Sequence, residues 1–315
     1  MFTEPTDLSP TQVRDVVAER WAVPVEGCRY LPAGMGAHHW LGYPAGSDEP
    51  AWIAHGDMTE AVRAPYRAAA ALAAAGLAFV APPLPPTDGD VLAHAGAAWW
   101  LSLVAFVPST SGPGGYRDDA ERARIARLIG ALHAATPPAS LPRWAPPASW
   151  PRIDALLLDL DRPWTAGPMG EQARDLLSRH AGQVRRLLAE FDARCAEELP
   201  GEQPWVVTHG EPHTGNVLDT GDGRLLLIDW DTAALAPRER DLRELVAGAT
   251  GPGPWRAYRD AGGSPVELSP GIADVFDRLW VLSEIDAYGT QLYEPHTGGT
   301  DDRIGIDALR DYLGD

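Results

Sequence analysis

The chain has no lysine. All 26 of its basic residues are arginine, against 44 aspartates and glutamates, and the formal net charge is −18. Nucleic-acid and anionic-membrane binding both need clustered positive charge, so neither is an expected partner. Cysteine is almost as scarce. Cys28 and Cys195 lie far apart in no CxxC or Cys/His spacing, which argues against a disulfide framework. Two buried free thiols in a reducing compartment are the expectation. Long apolar runs are missing too: Ala68–Ala78 is too short and too alanine-rich to span a bilayer. The opening MFTEPTDLSP is acidic, without the apolar centre of a secretory leader. A cytoplasmic location follows as the expectation.

What is present is 315 residues, room for two lobes or one large domain with ample core. The acidic excess suits a cationic small-molecule substrate as well as it suits a plainly solvated surface. Oligomeric state is not legible.

The densest chemistry lies in Trp205–Asp231, WVVTHGEPHTGNVLDTGDGRLLLIDWD. Trp205–Thr208 reads as a strand entering a loop. Val217–Thr220 and Leu225–Ile228 flank Gly221-Asp222-Gly223-Arg224, and Asp-Gly between apolar runs signals a hairpin. A four-residue turn pairs 217 with 228 and 218 with 227. That register sets Asn216 opposite Asp229, Cα atoms about 4.5–5.5 Å apart. An amide and a carboxylate so placed can share one cation, and Glu211 sits on the loop that delivers the chain to them. A carboxylate base beside an Asn/Asp magnesium clamp is what phosphoryl transfer requires. Zinc is the poorer reading. His209 and His213 are four apart, but Gly210, Pro212 and Gly215 break the helix such ligation needs. His-x-Glu also lacks the downstream Pro-Cys-x-x-Cys of a zinc deaminase.

His209-Gly210-Glu211-x4-Asn216, followed by Ile228-Asp229-Trp230-Asp231, resembles the catalytic and metal motifs of aminoglycoside phosphotransferases and related small-molecule kinases. The resemblance implies the α+β, two-lobed protein-kinase-like fold. An antiparallel-sheet N-lobe would take residues 1–108 and a mainly helical C-lobe 109–315. It implies Glu211 as base with His209 tying its loop together, Asn216 and Asp229 on Mg2+, and ATP or GTP as phosphate donor. Two departures stand out: Glu211 where Asp is usual, and Thr214 where Pro is common.

Upstream, Ser9 before Pro10, with apolar Val13, Val16, Val17 and Trp21, predicts a capped amphipathic helix. Tyr30–Leu31, Trp40–Tyr43, Ala51–His55, Ala78–Val80 and Trp99–Val107 read as strands. Thr59 caps a helix running to Ala75. In the resemblance Gly34 and Gly36 shape the nucleotide-covering loop. Phe106 and Val107 form the base-binding edge of a hinge, ahead of the boundary run Gly112-Pro113-Gly114-Gly115. Tyr116–Ala135, Ile153–Leu160, Gln172–Glu198, Ser269–Tyr293 and Asp302–Leu313 predict helices. Asp241 is expected to brace the metal loop, and Asp231, Asp277 and Glu284 to meet the substrate.

Kinase-like enzymes hold the nucleotide phosphates with a lysine on the third strand, paired to a helix glutamate. The matching strand here reads Ile53-Ala54-His55, so His55 takes that place, or Arg63 or Arg67 reaches in from the helix. Two hypotheses follow. One is a magnesium-dependent kinase moving the terminal phosphate of a nucleoside triphosphate to a hydroxyl of a small, cationic, antibiotic-like molecule. The other is a catalytically impaired relative that binds a nucleotide, peptide or natural-product intermediate. The retained Glu211, Asn216 and Asp229 favour the first, and the missing lysine favours the second. A kinase for Ser/Thr of a peptide would need a basic or apolar groove that the sequence does not show.

Overall fold

The computed structural model describes residues 1–112, 114–200 and 204–315. Pro113 of the boundary run lies outside them. The chain begins with α1 (Pro10–Trp21), β1 (Gly27–Leu31), β2 (His38–Tyr43), β3 (Trp52–Asp57), α2 (Arg63–Ala74), β4 (Ala93–Ala95) and β5 (Trp99–Ala105). Next come α3 (Asp119–His133), α4 (Pro151–Leu158), α5 (Gly170–Glu198), β6 (Val206–Thr208), β7 (Val217–Asp219), β8 (Leu225–Leu227) and β9 (Ala234–Ala236). It closes with α6 (Glu239–Leu245), α7 (Gly253–Asp260), α8 (Pro270–Tyr293) and α9 (Thr300–Leu313). Two compact units result: Met1–Trp144 with Gln203–Glu267, and Ala145–Glu202 with Leu268–Asp315.

In the first unit α1 starts as expected. Ser9 accepts the Gln12 N–H, and the Gln12 side chain accepts the Ser9 N–H at 2.8 Å, a reciprocal cap. Its apolar stripe, Val13, Val17 and Trp21, lies in one core with Trp40, Trp52, Ala54, Leu101 and Leu103. Those strand residues share a face because side chains alternate across a strand. The sheet runs β1-β2-β3-β5-β4, with each neighbouring pair antiparallel. Its opposite face carries His39, Ile53, His55, Asp57 and Ser102. His55 sits in register between His39 on β2 and Ser102 on β5.

Three sequence expectations shift here. Ala78–Val80 is not a sheet strand. It makes only a parallel bridge from Val80 to Leu227, and the fourth strand is Ala93–Ala95. Pro82, Pro83, Pro85 and Pro86 follow it, and proline removes the donors a ladder needs. The helix predicted from Tyr116 starts at Asp119, because the Asp118 carboxylate caps it by accepting the Glu121 N–H at 2.8 Å. A short α7 was not foreseen.

The second unit is helical. α5 packs on α8, and α8 on α9, burying Leu176, Leu177, Val184, Phe191, Phe276, Ile285 and Leu309. No helix among the described residues is long and apolar enough to cross a membrane.

Candidate active site

The loop of residues 209–216 hangs from β6, which pairs with β9 at Val207↔Leu235. His209 is fully buried and bridges the loop. Its Nε2–H donates to the Ile228 carbonyl at 2.8 Å, and its Nδ1 accepts the Glu211 N–H at 3.3 Å. Those two bonds select one neutral tautomer, and burial pushes the imidazole below its ordinary range. His209 therefore acts on the loop's shape.

Asp241 braces the same loop from α6. Its two carboxylate oxygens accept the His209 N–H at 2.9 Å and the Gly210 N–H at 2.7 Å. Oδ2 also meets His133 Nε2 at 3.1 Å. Burial alone would raise this carboxyl, but the hydrogen bond and charge of His133, with Arg240 nearby, hold it below the usual range. Gly210 has φ +107°, and a Cβ there would stand 2.4 Å from the Arg240 guanidinium. Only glycine fits.

The hairpin register differs from the expected one. β7 and β8 pair Val217↔Leu227, Leu218↔Leu226 and Asp219↔Leu225, so the turn is Gly221–Gly223, one residue shorter than the four-residue turn. Thr220 N–H closes it on the Arg224 carbonyl at 3.2 Å, with Gly221 and Gly223 both at positive φ. Asn216 consequently stands opposite Ile228, whose N–H donates to the Asn216 carbonyl at 3.0 Å. Asp229 comes one residue later, at φ +65°. A left-handed non-glycine residue at this point is a strained position of the kind that clusters at functional sites. The kink turns Asp229 out of the ladder. Asn216 Nδ2 donates to the Glu211 carbonyl at 3.0 Å, which joins base loop and hairpin and uses the donor end of the amide.

Acidic groups crowd around this corner. Burial raises the Asp231 carboxyl well above the ordinary range, with Asp229, Glu211 and Asp57 adding to it. Asp57, at the end of β3, is pushed up to about 6 by burial and then by Asp229. One of its oxygens is buried with no hydrogen-bond partner among the described residues. Tyr66 of α2 is raised by burial and by the charges of Asp57, Asp231 and Asp229. Neither Asp57 nor Tyr66 was expected from the sequence. The only signal for Asp57 was its place two residues beyond His55.

The expected nucleotide side is built as follows. Gly34 and Gly36 both have positive φ, and His39 Nδ1 reaches the Ala33 carbonyl of their loop at 3.1 Å. His39 packs edge-on to His55, ring centroids 4.6 Å apart. Burial lowers both imidazoles, His39 to about 2. Phe106 N–H donates to the Ala51 carbonyl at 2.9 Å, extending the β3–β5 ladder, and the Val107 carbonyl accepts the Ser109 hydroxyl at 2.9 Å. Arg63 and Arg67, the other candidates for the lysine's place, are both engaged. Both pair with Asp90, and Arg63 also lies over the Trp100 ring at 4.8 Å.

Asp277 and Glu284 lie on α8, in the second unit. Asp277 is exposed. Glu284 is half-buried and raised by that burial, while hydrogen bonds from Tyr312 and Tyr288 work against the rise.

Among the described residues no group of three or more His, Cys, Asp or Glu side chains is arranged to hold a metal ion. The Asn216–Asp229 corner offers a different set, one amide and one carboxylate, all hard oxygen. That fits magnesium, which takes one or two carboxylates and completes its shell with phosphates and water.

Several solved structures share this fold at low identity. A spectinomycin phosphotransferase in complex with ADP and spectinomycin aligns at TM-score 0.75 and 13% identity, over 96% of this chain and 94% of that one. A microcompartment-associated aminopropanol kinase aligns at 0.59 and 15%, over 97% and 95%. The choline kinase LicA from Streptococcus pneumoniae aligns at 0.57 and 13%, over 96% and 97%. No curated protein matches the sequence. The profile described as the phosphotransferase enzyme family matches residues 53–272. That span runs from the start of β3 through the 209–216 loop, the hairpin and Asp241 to the start of α8, and the chain belongs to this family.

Proposed function

We propose that the protein is a magnesium-dependent kinase. It moves the terminal phosphate of ATP or GTP to a hydroxyl of a small, cationic molecule. The observation that carries the reading is the bond from Asn216 Nδ2 to the Glu211 carbonyl, with Asp229 kinked out of the ladder beside them. In this reading residues 1–108 hold the nucleotide, with Gly34 and Gly36 over its phosphates and Phe106 and Val107 along its base. Residues 109–315 carry catalysis and the acceptor.

Asn216 and Asp229 would hold Mg2+, which when bound neutralises charge on the phosphates. Glu211 orients the acceptor hydroxyl and takes its proton as the new O–P bond forms and the bond to the leaving diphosphate breaks. His209 and Asp241 keep Glu211 in place. Positioning of this kind supplies most of the rate in phosphoryl transfer. The acidic corner of Asp57, Asp229, Asp231 and Glu211 suits a cationic acceptor, with Asp277 and Glu284 as further candidate contacts.

A second reading has one specific observation behind it. Arg63 and Arg67 are spent on Asp90, so His55 is what stands at the lysine position. A protein that binds nucleotide without transferring phosphate would tolerate that loss.

Thermal shift with ATP and with GTP, each with and without magnesium, tests both. A ligand at 100 times its dissociation constant adds about 2.7 kcal/mol. The kinase reading expects a magnesium-dependent rise that Asp229→Ala abolishes, and acceptor-dependent turnover that Glu211→Ala abolishes. A rise without turnover on any hydroxylated amine supports the binder. No response to either nucleotide sinks both.

A further inference from the structure

Thr214 lies inside the catalytic loop and is 3% exposed. Its hydroxyl donates to the Gly115 carbonyl at 2.8 Å and accepts the Gly114 N–H at 3.1 Å. Its own carbonyl accepts the Gly112 N–H at 3.0 Å. The strap of residues 110–112 and 114–115 is thus tied to one threonine, side chain and backbone together. The same strap is pinned to β7 at Thr110, whose N–H and C=O pair with Asp219 at 3.1 and 2.8 Å. A Cβ on Gly112 would stand 2.5 Å from Thr214 Oγ1, so strap and loop touch with no room for a side chain.

A cavity of about 340 Å3, lined by Thr110, Gly112, Arg117, Arg124, Thr214 and Asp219, opens beside this junction. Two further bonds span Thr214 within its own loop. Asn216 N–H reaches the His213 carbonyl, and Asn216 Nδ2 reaches the Glu211 carbonyl, both at 3.0 Å. A displaced Thr214 therefore carries Asn216 and Glu211 with it.

We propose that Thr214 is a positioning residue, whose hydroxyl ties the strap to the catalytic loop and so sets where Glu211 and Asn216 stand. The proposal deepens the kinase reading and rests on it for the roles of those two residues. The strap follows residues 106–109, so a nucleotide base seated there is coupled to the metal corner through Thr214.

The test compares Thr214→Val, which keeps the shape and removes the hydroxyl, with Thr214→Ser, which keeps the hydroxyl. Hydrogen exchange on the full chain reads the coupling directly. Thr214→Val is expected to speed exchange at least about tenfold, since both hydrogen bonds of the hydroxyl are lost, in both 110–112 with 114–115 and 211–217. Exchange in α1 stays unchanged as the control for global unfolding, and Thr214→Ser restores the slow rates. Magnesium titrated against ATP, followed by thermal shift, reads the placement of Asn216. Its half-effective concentration is expected to rise about tenfold in Thr214→Val and to return in Thr214→Ser. Unchanged exchange at 211–217, or an unchanged magnesium requirement, overturns the proposal. If the unsubstituted protein answers neither ATP nor GTP with magnesium, the kinase reading fails instead, and exchange alone decides the coupling.

Discussion

Asn216 gives the donor end of its side-chain amide to the backbone carbonyl of Glu211 at 3.0 Å. The residue proposed to hold the metal therefore also fixes the residue proposed to take the proton. On the proposed mechanism, two steps depend on one side chain.

Asn216→Ala removes both roles together. Turnover is expected to fall by about a hundredfold or more, the usual cost of removing a preorganised polar group at a reacting centre. Asn216→Asp keeps an oxygen for magnesium but sets a carboxylate against the Glu211 carbonyl. It should therefore recover magnesium-dependent nucleotide binding before it recovers turnover. Steady-state kinetics beside a nucleotide thermal shift separates the two. Equal losses in both assays from Asn216→Asp would show that the bond to Glu211 does not matter.

Asp241→Ala strips the acceptor from two buried N–H groups and from His133 at once. Losing the charged partner of a buried network costs about 3–5 kcal/mol. Urea unfolding of the free protein should show that loss without any ligand present. A midpoint unmoved from that of the unsubstituted chain would mean that water replaces the carboxylate.

The β3 site can be tested by addition. His55→Lys returns an ammonium to the position where related folds carry one, beside Asp57 and Asp229. If His55 faces the phosphates, ATP should bind about tenfold tighter, roughly the value of one charge-assisted hydrogen bond. A titration in which His55→Lys binds ATP no better than the parent places the phosphates elsewhere.

The acid limb of stability carries opposing signatures. Asp57 is raised from 3.8 to about 6 in the folded chain, so the folded state binds more protons than the unfolded state between those values. Its ionisation removes stability as pH rises through that window, by about 3 kcal/mol at most. His39 is lowered from 6.5 to about 2. The unfolded state then binds the extra proton, and stability falls as pH drops below 6.5. Asp57→Asn should raise the melting temperature at pH 7 by more than it does at pH 4. A shift of equal size at both pH values would show that Asp57 ionises freely in the folded protein.

Much of the local structure was legible from residue order. Ser9 before Pro10 announced the first helix, the run Ser269–Tyr293 was legible as the long α8, and the alanine-rich run after Thr59 as α2. The loop from His209 to Asn216 stood out in the sequence because it sets His, Glu and Asn close together ahead of a hairpin. The hairpin was placed correctly but paired one residue out. Turn length is a backbone property, and Gly221 and Gly223 permit a three-residue turn as readily as a four-residue one.

What the chain settled alone was its family, its α+β class and the short-range signals of caps, turns and alternating strands, since these depend on neighbours within a few residues. What only the tertiary structure decided was which distant groups share a field. Asp57 and Tyr66 joined the acidic corner, Arg63 and Arg67 went to Asp90, and Thr214 met the glycines of the strap. None of those meetings has a periodicity to read. Each arises from the folding of separate segments into one volume, where burial and charge act over ångströms rather than along the sequence.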